Sequence, residues 1–188
     1  MKRISVKELA TATATLLGES LLQECIPEES PFPDLEDQVR ILSPELLSSL
    51  IMESPAELLT DAIRKMSAPA KVAADGSVTL EVPPDFLKLI YLKMSDWKRA
   101  VTIITPISSE AFKRQGTRWE GIKGNAERPL AFLLPGGLRL YSSHSNATLE
   151  EALYVQRPQI ESDGTLAIPD NLYLPLLQRI AENIKGEA

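Results

Sequence analysis

The sequence predicts an α+β fold: an N-terminal helical layer of about three helices, a central antiparallel β region with hairpins, and a C-terminal helix. Three observations carry that expectation. Apolar residues recur at three- and four-residue intervals in the first third and again at the end, the period of one buried helix face. Between these stretches the period shortens to alternation, as in Ser77-Val78-Thr79-Leu80-Glu81-Val82. Asp-Gly and Pro-Gly-Gly separate the β-type runs, and such turns need glycine because it enters positive φ without strain.

Taken in order, Ser5-Val6-Lys7-Glu8 has capping-box spacing, so a helix starts there, with Ser5 and Glu8 satisfying each other's free amides. Val6, Leu9, Ala10, Leu16, Leu17 and Leu21 continue its apolar face to about Gln23. Pro27-Glu28-Glu29-Ser30-Pro31-Phe32-Pro33 is too proline-rich for helix or central strand and reads as a loop. Ser43-Pro44 and Ser54-Pro55 each place proline after a capping serine, where its missing N–H does no harm. Two helices are expected from them, over about 44–52 and 55–66, burying Leu46, Leu47, Leu50 and Ile51, then Leu58, Leu59, Ile63 and Met66.

Asp75-Gly76 joins 71–73 to 77–82 as a hairpin, and Asp163-Gly164 marks a second turn between 154–156 and 166–168. Pro135-Gly136-Gly137 separates 130–134 from 138–141, Leu87 to Met94 reads as a strand, and Ser108 to Gln115 as a short helix before Gly116. The end is helical from Asp170 to about Ile184, with Pro175 forcing a kink or a one-turn break. Asp-Gly-Ser/Thr followed by Pro-Asp occurs twice, which either a duplication or the small choice of residues for such turns produces. The expected division is a helical region, 1–68, and a β-rich region with its closing helix, 69–188, packed as one unit.

The chain has 188 residues, 44% of them hydrophobic, enough for one good core. Its 24% charged residues and net charge of -6 argue against disorder and against general attraction to nucleic acid. No apolar run approaches the roughly 18 residues of a membrane span, and the segment after Met1-Lys2-Arg3 lacks the apolar run of a signal peptide. The single cysteine, Cys25, excludes an intrachain disulfide and fits a reducing cytoplasm. Without secretion the acceptor triplet Asn146-Ala147-Thr148 carries no chemistry.

Charge is uneven. Residues 1–70 hold six Lys/Arg against twelve Asp/Glu, residues 71–145 eleven against seven, and residues 146–188 three against seven. An acidic helical layer and a mildly basic β layer would attract neighbouring copies head to tail; a solvated surface with chance asymmetry gives the same counts.

Catalytic signals are weak. His144, the only histidine, lies among Ser142, Ser143, Ser145 and Asn146 with no nucleophile elbow nearby, so a loop role outweighs a triad. Ser95-Asp96-Trp97-Lys98 fits Ser-x-x-Lys but lacks the companion motifs of that chemistry. Gly116, Gly121 and Gly124 are not followed by Gly-Lys-Ser/Thr, so no phosphate loop is built. Glu28-Glu29, Glu36-Asp37 and Glu150-Glu151 read as solvated charge. No catalytic, cofactor or metal residue is assigned.

What stands out is Lys93-Met94-Ser95-Asp96-Trp97-Lys98-Arg99, followed by Lys113-Arg114 and Arg118-Trp119. Both tryptophans lie beside cations. Trp97, Lys98, Arg99, Arg118 and Trp119 therefore form the candidate partner interface, since Trp and Arg dominate interface hot spots. A stacking platform for single-stranded nucleic acid, in a binding or regulatory module, is the alternative. Tryptophans anchoring the core with arginines at its edge are the third reading.

Pro84-Asp85-Phe86-Leu87-Lys88-Leu89 together with the 93–99 cluster resembles the region after the helical part in head-to-tail adaptor proteins of tailed phages, including the tail tubular protein A group. The order of elements is similar along about 150 residues, although the quoted motifs span only about 16. The resemblance implies a non-enzymatic virion component, carried by a prophage and made in the host cytoplasm. It also implies a ring of subunits that contacts portal or tail proteins and lets DNA pass, without sequence-specific nucleic acid or membrane binding. An acidic chain suits such a lumen, because tight phosphate binding would obstruct passage.

Overall fold

The computed structural model describes residues 1–18, 35–114, 124, 126–141 and 146–187, and the proline-rich loop expected at 27–33 lies outside them. The fold is α+β, with helices first, antiparallel sheets in the middle and a closing helix. Backbone proximity divides the chain into two compact units, Met1–Ala62 with Arg157–Ala188, and Ile63–Gln156. The break at Ala62 falls a little before the expected 68/69 division, and the closing helix groups with the N-terminal helices.

The first unit opens with β1 (Lys2–Ser5), which leads directly into α1 (Val6–Leu17). The capping box forms as expected: Glu8 N–H donates to Ser5 Oγ at 3.2 Å, and Ser5 N–H donates to Glu8 Oε2 at 3.1 Å. The helix stops at Leu17, short of Gln23, because Gly18 takes φ 82° and its N–H closes on Thr15 O at 3.2 Å. That is a left-handed C-terminal cap, the glycine signal that apolar periodicity alone overlooks.

A single helix, α2 (Leu35–Glu53), replaces the expected start at Ser43, and Pro44 lies inside it. Val39, Ser43, Leu47 and Ile51 are buried at four-residue spacing, so the stripe runs unbroken through the proline. Burial of that stripe outweighs the lost hydrogen bond. The second expected helix is a 3-10 run, Ala56–Ala62. Ser54 belongs to the end of α2, where its N–H and Oγ both donate to Leu50 O, at 2.9 and 2.7 Å.

In the same unit β9 (Thr165–Ile168) pairs antiparallel with β1, Lys2 opposite Ile168 and Ser5 opposite Thr165. A short 3-10 turn, Asp170–Leu172, then leads into α4 (Tyr173–Glu187). Pro175 falls in the first turn of α4, where amides have no intrahelical acceptor, so it neither kinks nor breaks the helix. Leu176, Leu177, Ile180, Ala181 and Ile184 are buried, and α4 packs on both α1 and α2. Arg179 holds Glu53 of α2 through two bonds, 3.0 and 3.1 Å.

The second unit holds two sheets. In the first, β2 (Ile63–Lys65), β8 (Leu149–Gln156) and β5 (Phe86–Met94) lie in the order β2-β8-β5. In the other, β3 (Ala70–Val72), β4 (Ser77–Leu80), β7 (Gly137–Tyr141) and β6 (Ala131–Leu134) lie in the order β3-β4-β7-β6. A four-residue helix, α3 (Glu110–Lys113), sits between β5 and β6 in sequence. Val78, Leu80, Leu92, Met94, Leu138, Leu140 and Ala152 are among the side chains of the core. Register shifts in β5, as between Leu89 and Tyr91, interrupt its alternation, which is why it reads as a nearly continuous apolar run.

Both Asp-Gly turns form, with one bonding pattern. At Ala73–Ser77, Gly76 (φ 78°) donates to Ala73 O at 3.0 Å while Asp75 Oδ1 accepts from Ser77 N at 3.0 Å and Oγ at 2.6 Å. At Glu161–Thr165, Gly164 (φ 77°) donates to Glu161 O at 2.9 Å while Asp163 Oδ1 accepts from Thr165 N at 2.9 Å and Oγ1 at 2.7 Å. Only the first joins two strands that pair with each other. After the second, β9 pairs with β1 and not with β8.

Candidate docking corner

The candidate cluster begins where β5 ends. Leu92 and Val101 exchange both backbone bonds, at 2.9 and 2.8 Å, so residues 93–100 form a loop whose ends are pinned together. Ser95 is clamped from both sides: its N–H donates to Thr148 O at 2.9 Å, and its Oγ accepts from Thr148 N at 3.0 Å. Trp97 N–H turns back to Met94 O at 3.0 Å, and Lys98 N–H reaches Ala126 O at 2.7 Å. Three separate stretches of chain therefore hold this loop.

Trp97 is 3% exposed and belongs to the core of the second unit. Its Nε1–H is buried with no hydrogen-bond acceptor among the described residues, so the indole packs as an apolar group and offers no face to a nucleotide base. Lys98 and Arg99 are exposed. Lys98 Nζ lies 2.6 Å from Glu127 Oε1, and this bond holds the Glu127 carboxyl below the usual carboxylate range. Lys93 is tied to Glu150 at 2.9 Å. The structure brings Trp97, Lys98 and Arg99 into one corner; Arg118 and Trp119 lie outside the described residues.

The same geometry disposes of the Ser-x-x-Lys pattern. Ser95 Oγ accepts from Thr148 N and Lys98 Nζ bonds Glu127, so no serine–lysine dyad is assembled. His144, Cys25, Ser142, Ser143, Ser145, Gly116 and Gly121 lie outside the described residues. Among the described residues no group of three His, Cys, Asp or Glu could hold a metal ion, and no helix is long and apolar enough to cross a membrane. An open depression of about 400 Å³ is lined by Arg179, Glu182, Asn183 and Gly186 on one face of α4, where Arg179 is already committed to Glu53.

The Pro-Asp-Phe stretch has a structural account. Phe86 N–H closes a turn onto Pro83 O at 3.0 Å. Phe86 then stacks on Tyr154 of β8, centroids 5.8 Å apart, and the Tyr154 hydroxyl donates to Asp85 Oδ1 at 3.3 Å. Burial, with the Asp85 charge adding to it, pushes the Tyr154 phenol up, so it stays a donor. Two adjacent residues of the motif thus clamp one tyrosine across the β5–β8 pair.

Sequence reasoning passed over the exposed apolar side chains Ile41, Ile103 and Ile107. Ile41 was legible as an isoleucine on the far side of the Val39, Leu47 and Ile51 stripe. Ile103 and Ile107 lie in irregular chain, where no period separates outside from inside.

The described residues thus set the exposed Lys98 and Arg99 beside a buried Trp97 in a loop pinned at both ends. The chain belongs to the SU10 adaptor protein family, whose model matches residues 4–187. A phage structural adaptor role, exercised through protein–protein assembly, follows from that membership. Comparison with curated proteins gives no match.

Proposed function

We propose that the chain is a head–tail connector subunit of a tailed phage, similar to the tail tubular protein A group and encoded by a prophage. It acts without turnover, made in the host cytoplasm and joining the virion by packing against copies of itself in a ring and against portal or tail proteins. Trp97, Lys98 and Arg99 serve as a docking corner, the cations meeting the partner and Trp97 anchoring them from beneath, and Arg118 and Trp119 are further partner-contacting residues.

The observation that carries this reading is the opposite charge of the two units. Met1–Ala62 with Arg157–Ala188 holds seven Lys/Arg against seventeen Asp/Glu, a net of -10, whereas Ile63–Gln156 holds thirteen against nine, a net of +4. Surfaces of opposite sign favour contact between unlike units of neighbouring copies, the head-to-tail contact from which a ring is built when its rotation closes. Sedimentation velocity of the full chain, alone and with a portal protein, tests it. Rings, or monomers that assemble only on the portal, are expected. A chain that stays monomeric and ignores the portal at low ionic strength would refute the reading.

A further inference from the structure

We propose that neighbouring copies meet through the outer face of α2 on one copy and the segment 98–114 on the next. This pairing rests on the self-association reading above and says which surfaces carry it.

The two stretches mirror each other. Residues 35–53 carry Glu36, Asp37, Glu45 and Glu53 against Arg40, while residues 98–114 carry Lys98, Arg99, Lys113 and Arg114 against Glu110. Each also leaves large apolar side chains in solvent. Ile41 on α2 is 74% exposed, and Ile103 and Ile107 are 77% and 55% exposed. Ile41 lies opposite the buried stripe of α2, and Met52, also exposed, lies about three turns further along the same face.

The basic stretch is fixed in place. Thr105 N–H donates to Ala131 O at 2.8 Å, seating the segment beside β6, the edge strand of the four-stranded sheet. Ser109 caps α3 by accepting from Phe112 N, and Phe112 packs edge-on against Phe132 of β6 at 5.3 Å. Ile103 and Ile107 are thus presented by an anchored segment flanked by Lys98, Arg99, Lys113 and Arg114.

Several charges already have partners in the chain: Glu36 with Arg40, Glu53 with Arg179, Lys98 with Glu127, and Lys113 with Glu110. Among the described residues Glu45 and Arg99 form no close ion pair, Arg99 acting only as a further positive charge near Glu127, so reversing either breaks no salt bridge inside the chain. An α2 face meeting its own copy would set acid against acid, and 98–114 meeting itself would set cation against cation. The unlike pairing gives an apolar centre inside a complementary rim, the anatomy of a specific interface.

The test uses the full chain with a photocrosslinking residue at position 107, and the charge reversals Glu45→Lys and Arg99→Glu. All three positions are exposed, so the fold should survive. Crosslinks from 107 are expected in the 35–53 peptide of another copy. Each single reversal should weaken self-association roughly tenfold, and the double reversal should recover most of the loss. Crosslinks elsewhere in an associated chain, or a double variant no better than the singles, would overturn this pairing and leave self-association standing. No association at any ionic strength, alone or with a portal protein, would overturn both.

Discussion

The two units reach order by different routes. The second, Ile63–Gln156, is one continuous stretch whose tight hairpins, β3–β4 and β6–β7, are closed by local turns. The first is assembled from both ends of the sequence, with β1 paired to β9 and α1 and α2 packed on α4. Its buried faces on Val6, Leu9, Leu47 and Ile51 thus depend on partners more than a hundred residues away, and loop closure must be paid before they are covered.

The largest effect expected from this contrast follows removal of residues 157–188. The first unit then loses β9 and α4, and helices as short as α1 are marginal without a packed face. Amide exchange in α1 should rise to that of an unfolded chain, while amides of β4 and β7 keep their protection. Protected α1 amides in the shortened chain would mean that the N-terminal elements do not depend on the chain's end.

The next contrast is between two glycines at positive φ. Gly137 (φ 137°) follows the β6–β7 turn in the second unit, and a Cβ there would run into the carbonyl oxygen of Leu80. Gly164 (φ 77°) sits at a turn of the first unit with open space around it. Gly137→Ala adds a backbone clash to the conformational strain and should destabilise by about 3 kcal/mol, whereas Gly164→Ala carries the strain alone, about 1 kcal/mol. Urea denaturation reads both. Equal effects would mean that the Leu80 approach relaxes without cost.

The sequence reported local chemistry well and long-range pairing poorly. Ser5 and Glu8 fix the start of α1, and Asp75-Gly76 and Pro135-Gly136 fix two hairpins, because the residues that make each feature lie within a few positions of one another. Nothing in Thr165–Ile168 says that its partner is Lys2–Ser5, since any alternating strand could fill that place. Ser43-Pro44 misled for a related reason: the dipeptide looks like a helix start unless Val39 is recognised as belonging to the same stripe. At the candidate docking corner, the residue types of Trp97, Lys98 and Arg99 were legible, but burial of the indole and the bond from Lys98 to Glu127 arise from chain far away in sequence.

The smallest expected effect compares Asp75 with Asp163, one in each unit, in turns of the same bonding pattern. Ser77 Oγ and N–H hold the Asp75 carboxyl below its usual range, with Arg139 adding to the effect. Thr165 Oγ1 and N–H do the same for Asp163, with Arg3 adding. Both folded-state values lie below the unfolded one, about 3.9. Their stabilisation is therefore complete above that pH and disappears as pH falls through the lowered folded values. Asp75→Asn and Asp163→Asn keep an acceptor oxygen but remove the charge and its titration, so each should lower the neutral plateau of a Tm–pH profile slightly, leave its low-pH end nearly unchanged and thereby flatten the acid limb. Because the hydroxyl and amide donors match, the two variants should flatten it by similar amounts. An acid limb flattened by Asp75→Asn alone would show that Arg139, and not the hydroxyl and amide pair common to both turns, sets the shift.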